Sequence, residues 1–99
     1  MKILQKATTP DGTDIQLEDW SEDYAIFPYG STIAAYPRKH IRCRATLELY
    51  NYQEAMSVFD GLQKGNIHLG DKDFQVMERG GRRISFKEKL EKYMSERKM

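Results

Sequence analysis

A chain of 99 residues with 39% hydrophobic side chains and 11% aromatic ones can bury a core without metal or disulfide staples, and is too apolar to be disordered. Its charged fraction of 31% and mean hydropathy of -0.74 predict a soluble chain forming one domain over residues 1–99. A formal net charge of +1 excludes a strongly acidic nucleic-acid mimic, and no apolar run approaches the ~18 residues of a membrane span or follows a basic leader, so a cytoplasmic location is expected.

The charge is unevenly distributed. Residues 1–35 carry a net -4 and residues 36–99 a net +5. Such a division hints at charged partners, and equally at two patches that neutralise each other within the fold.

In chain order, Lys2 to Thr8 and Thr13 to Asp19 flank Pro10-Asp11-Gly12, which predicts a β-hairpin. The alternating oxygen ligands and closing glutamate of a calcium loop are missing. Residues 20–36 follow with Trp20, Tyr24, Phe27, Tyr29 and Tyr36, and with Glu18, Asp19, Glu22 and Asp23 around their start. No helical period runs through them, so an ordered loop over Ser21 to Gly30 is expected, then a short strand from Ser31 to Tyr36 stopped by Pro37. The simplest role for Trp20, Phe27 and Tyr36 is to plug the end of the core, as large aromatics in small domains usually do.

Ile41 to Tyr50 alternates without interruption, with Ile41, Cys43, Ala45, Leu47 and Leu49 on one side and Arg42, Arg44, Thr46, Glu48 and Tyr50 on the other. This predicts a central strand with one dry face. Asn51 is a good helix N-cap, and Tyr52, Ala55, Met56, Phe59 and Leu62 follow at three- and four-residue spacing, ending at a left-handed stop at Gly65-Asn66. That helix is expected across the dry face, with Phe59 and Leu62 in contact. Ile67 to Leu69 and Phe74 to Arg79 read as strands, and Gly80-Gly81 as a hairpin turn into Arg82 to Ile84. Ser85 with Glu88 resembles a capping box, so a second helix is predicted from Ser85 to about Glu96, with Phe86, Leu90, Tyr93 and Met94 on one stripe. The element order implies an α+β fold: an antiparallel or mixed sheet with two helices packed on one face.

No motif assigns catalysis. His40 and Cys43 fall on opposite faces of a strand, and His68 alone cannot complete a zinc set. Cys43, the single cysteine, is expected to be buried and unreactive. Asp19, Glu22 and Asp23 read as solvated loop acids. The phosphate-loop pattern is absent around Gly80-Gly81. No catalytic residue, cofactor or metal site is therefore assigned, and an enzyme ranks third among the functions considered.

Binding is the favoured class, and two surfaces compete. Arg38, Lys39, Arg42 and Arg44 form one basic group, and Arg79, Arg82 and Arg83 a second, backed by Lys87, Lys89 and Lys92. If the groups merge they offer a phosphate-binding surface with Tyr36 or Tyr50 to stack a base. Pairing of Arg42 and Arg44 with acids such as Glu18 outweighs that reading, because no nucleic-acid motif accompanies the charge. The aromatic-acidic loop, through Trp20, Tyr24, Tyr29 and Tyr36, is the preferred surface, for a protein partner.

Residues 15–21 (IQLEDWS) and 29–37 (YGSTIAAYP) resemble a segment of small uncharacterised proteins carried on conjugative elements of Gram-positive bacteria. The resemblance covers residues 15–37. It implies an accessory role in a mobile element and a cytoplasmic location, and brings no site residues with it.

Overall fold

The computed structural model describes residues 1–21, 30–38 and 42–97. Six antiparallel strands lie in sequence order: β1 (Lys2–Thr8), β2 (Asp14–Asp19), β3 (Ser31–Tyr36), β4 (Ala45–Leu49), β5 (Gln75–Met77) and β6 (Arg83–Ser85). Helix α1 (Tyr52–Lys64) connects β4 to β5, and α2 (Phe86–Arg97) follows β6. The fold is α+β, and the sheet is wholly antiparallel rather than mixed.

The first hairpin forms as its turn residues predict. Gly12 takes φ 89°, and the Thr13 N–H donates to the side chains of Thr9 (3.1 Å) and Asp11 (3.3 Å). β3 spans the residues expected of it and is buried on both faces, with Ile33 and Ala35 toward the helices and Thr32 and Ala34 away from them. Ile15, Leu17, Ala45 and Val76 extend that apolar face, and Ala55, Val58, Phe59 and Leu62 of α1 close over it. Phe86, Leu90 and Tyr93 bring α2 onto the same cluster, so both helices share one side.

β4 corrects the expected central strand. It begins at Ala45, and residues 42–44 make no ladder, while Ile41 lies outside the described residues. The last rungs join Ala45 to Ala35 of β3 and to Val76 of β5, and neither Tyr36 nor Met77, the next residues of those strands, pairs with Arg44; Pro37, which has no N–H, ends β3 one residue further on. The alternation nevertheless holds in the packing, for Cys43, Leu47 and Leu49 are half-buried against the core.

The strand expected over Ile67 to Leu69 is instead a bend leading into a single 3-10 turn, Leu69–Asp71. Local bonds compete with a ladder here: the His68 N–H donates to the Asp71 carboxylate at 2.9 Å, and the Ile67 N–H to the Gly61 carbonyl at 3.1 Å. Gly61 is needed for that approach, since a Cβ there would lie 2.5 Å from Ile67 Cδ1. β5 is also shorter than the expected Phe74 to Arg79, although Phe74 stays in the core and its carbonyl accepts from the Phe86 N–H at 2.8 Å. The β5–β6 turn uses Gly80 and Gly81 at φ 84° and 81°.

Both helix caps match their residues. Asn51 Oδ1 accepts from Gln53 N–H at 2.8 Å, and Ser85 Oγ from Glu88 N–H at 3.0 Å. The buried stripe of α1 is rotated from the expected one: Val58 joins it, while Tyr52 and Met56 are exposed because Met56 sits about 100° round the helix from Ala55. Met94 of α2 is likewise outside the core.

α1 ends at Gly65, φ 82°, where a Cβ would stand 3.0 Å from Pro10 Cγ. Gly65→Ala is expected to cost about 1 to 2 kcal/mol from the left-handed backbone alone, whereas Gly70→Ala, with nothing within 4 Å of the added Cβ, serves as the control. Urea denaturation checks this, and equal midpoints for the two variants would contradict it.

Candidate binding site on the open sheet face

The period of two that sends Ile15, Leu17, Ile33 and Ala35 toward the helices sends Gln16, Glu18, Thr32, Ala34, Tyr36, Thr46, Glu48, Gln75, Met77 and Arg83 to the other side. No helix among the described residues packs there.

At the centre of this face Glu18 is fully buried. Arg44 approaches it from beyond the start of β4 with both arms of its guanidinium, Nη2 to Oε1 at 2.7 Å and Nη1 to Oε2 at 2.9 Å. Trp20 Nε1 donates to Oε1 at 2.8 Å and Gln16 Nε2 to Oε2. Four donors therefore occupy the carboxylate's acceptor sites. Arg44 Nη1 also donates to the Tyr36 hydroxyl, and Arg44 Cζ lies 5.7 Å from the centre of the Tyr36 ring.

The Arg44–Glu18 bond crosses β3, which separates β2 from β4, a span of about 10 Å at ordinary strand spacing. It passes over Thr32 and Ala34, consistent with their burial on a face that carries no helix. Only a long side chain with a planar fork can reach that far and bond both carboxylate oxygens. Burial pushes the Glu18 carboxyl up, but the bonds from Arg44, Gln16 and Trp20 together with the Arg44 charge outweigh it and hold the group below the ordinary glutamate range. The bond to Glu18 in turn raises Arg44. Glu18 is thus a fixed, fully bonded anion.

Beside this network lies a groove of about 700 Å³, lined by Trp20, Thr32, Arg42, Cys43, Arg44, Thr46, Glu48, Gln75, Val76, Met77, Arg83 and Lys89. A second groove of about 580 Å³ is lined by Tyr36, Pro37, Arg38, Arg42 and Cys43, so the two adjoin at Arg42 and Cys43. Cys43 is half-buried, and burial raises its thiol above the ordinary range against the opposing charge of Lys89.

The two basic groups of the sequence are therefore partly brought together. Arg38, Arg42, Arg44 and Arg83 line the grooves, joined by Lys89 from α2. Arg79 and Arg82 are exposed in and beside the β5–β6 turn and do not line them. Most of the cations are matched by acids: Arg38 with Asp14 at 3.0 Å, Arg44 with Glu18, Arg83 with Glu48 at 3.5 Å and Lys89 with Glu78 at 3.0 Å. Among the described residues Arg42 forms no ion pair, and it is exposed.

Of the aromatic candidates, Tyr24, Phe27 and Tyr29 lie outside the described residues, as does Lys39 among the basic ones. Trp20 and Tyr36 are half-buried, but neither belongs to the apolar cluster they were expected to plug. Both point polar atoms into the Glu18–Arg44 network on the opposite face, because even-numbered positions in β2 and β3 face away from the helices. Met77, 56% exposed, was legible as a wet-face position but not as part of a groove, which forms only where β4, β5 and β6 meet.

Among the described residues no group of His, Cys, Asp and Glu could hold a metal ion, and no helix is long and apolar enough to cross a membrane. Compared with protein-family models, curated proteins and solved structures, the chain finds no significant match in any of the three.

Proposed function

We propose that this protein is a non-catalytic accessory or regulatory module of the cytoplasm that binds another protein through the open face of its sheet, with Trp20 and Met77 as apolar contacts. The observation that supports this reading is the internal pairing of the groove cations. A phosphate backbone needs several free cations along its path, and here Arg38, Arg44, Arg83 and Lys89 each bond a carboxylate of the same chain. A surface of mixed, pre-paired charge with an exposed methionine and a tryptophan suits a protein partner better. The resemblance of residues 15–37 to proteins of Gram-positive conjugative elements adds a setting for the module, the machinery of a mobile element.

Affinity capture from a Gram-positive cell extract tests the proposal, comparing the wild type with Met77→Glu. Met77 is largely exposed, so the substitution should change stability by no more than about 0.5 kcal/mol while weakening partner capture by about tenfold or more. Identical retained proteins for both forms, or capture abolished by nuclease treatment, would count against the reading, the second outcome favouring nucleic acid.

A further inference from the structure

We infer that the segment bound in these grooves is an extended, acidic stretch of the partner, with carboxylates alternating with apolar side chains, and that Arg42 is its principal anchor. This rests on the protein-binding reading above and adds the chemistry of the occupant.

Shape comes first. The two grooves adjoin at Arg42 and Cys43, and their volumes of about 700 and 580 Å³ together exceed the roughly 300 to 1,000 Å³ of a usual small-molecule pocket. A track that leaves the sheet face beside Met77 and continues past Arg42 to Tyr36 and Pro37 suits a chain laid along it. Charge comes second. Among the described residues Glu48 is the only carboxylate lining either groove, against five cations. Four of these cations, Arg38, Arg44, Arg83 and Lys89, already bond carboxylates of the same chain, which leaves Arg42 as the cation with charge to offer a ligand. Arg42, shared by both grooves and free of any ion pair among the described residues, is where a carboxylate of the ligand gains a partner without displacing one. Apolar surface comes third: Met77 is 56% exposed and shares the first groove with Trp20. An extended ligand offers side chains with period two, so carboxylates directed at Arg42 can alternate with apolar groups directed at Met77. Two classes of neighbour on one track call for two alternating classes of side chain.

The test uses the full chain and three fluorescein-labelled probes followed by anisotropy: a short peptide of alternating Asp and Leu, its Lys-Leu counterpart, and single-stranded oligothymidylate. The Asp-Leu peptide is expected to bind, Arg42→Glu to weaken it by about tenfold or more, and Lys6→Glu, the same charge change on β1 away from the grooves, to leave it unchanged. Failure of the Asp-Leu peptide to bind, or equal binding by wild type and Arg42→Glu, overturns the inference. If the Lys-Leu peptide binds instead and Met77→Glu abolishes that binding, the acidic occupant is wrong while the protein-binding reading survives. If only oligothymidylate binds, and depends on Arg42, both are wrong.

Discussion

Arg44→Ala is expected to destabilise the fold by about 2 to 4 kcal/mol, somewhat less than the roughly 3 to 5 kcal/mol for breaking a fully buried ion pair, because Arg44 itself is 38% exposed and water can reach its side of the bond. The loss falls on Glu18, which stays buried on the sheet and keeps, among the described residues, only Trp20 and Gln16 as donors. A double variant, Arg44→Met with Glu18→Gln, should recover much of the loss, since the uncompensated charge is gone and the amide oxygen that replaces the carboxylate can still accept from the Trp20 indole.

The pH dependence follows from the same network. In the wild type the Glu18 carboxyl is held below its ordinary value, so its contribution is fully present above the unfolded glutamate range, near pH 4.5, and is lost as pH falls through the lower folded value. Between neutrality and that range this group adds no slope. Without Arg44 the largest remaining influence is burial, which raises the carboxyl, so the variant carries a charge penalty at neutral pH that fades on acidification. The stability gap between wild type and Arg44→Ala, read by urea denaturation, should therefore narrow between about pH 7 and pH 4. A gap independent of pH would mean that Arg44 acts by packing alone.

Phe59→Ala is expected to cost about 3 to 5 kcal/mol, a large share of the 5 to 15 kcal/mol typical of a folded domain. Phe59 is 1% exposed and among the largest fully buried side chains. It belongs to the stripe by which α1 meets β2, β3 and β4, so truncation leaves a void between helix and sheet that neither can close without moving the other. Met56→Ala, on the exposed flank of the same helix, should cost well under half as much. Denaturant midpoints with unchanged slopes would register both effects. A Phe59→Ala loss below about 1 kcal/mol would place the centre of the core elsewhere.

Local chemistry was enough to predict much of this molecule. Pro10-Asp11-Gly12 makes its turn, Asn51 and Ser85 cap their helices, Gly65 stops α1, and the dry positions Ala45, Phe59 and Leu62 are where period two and period 3.6 put them. Each depends on residues within a few positions of one another, and such preferences act before the chain is compact. Strand lengths were not legible in the same way. Whether residues 42–44 or Ile67 to Leu69 enter a ladder depends on a partner backbone distant in sequence, and neither gains one: the rungs to β3 and β5 stop at Ala45, and the Ile67 N–H bonds the Gly61 carbonyl instead.

The candidate site divides likewise. That Arg42, Arg44 and Glu18 point away from the apolar face follows from alternation alone, and a pairing of Arg44 with Glu18 was one of two outcomes the residues allowed. Only the tertiary structure set β2 two strands from β4, so that one arginine spans β3 to bond both oxygens of a buried carboxylate while the other is left without an ion pair among the described residues. Spacing in the sequence determines which face a side chain takes. Strand order determines which charges on that face lie within reach, because Coulomb and hydrogen-bond energies depend on distances of a few ångströms between residues that the chain separates by twenty or more.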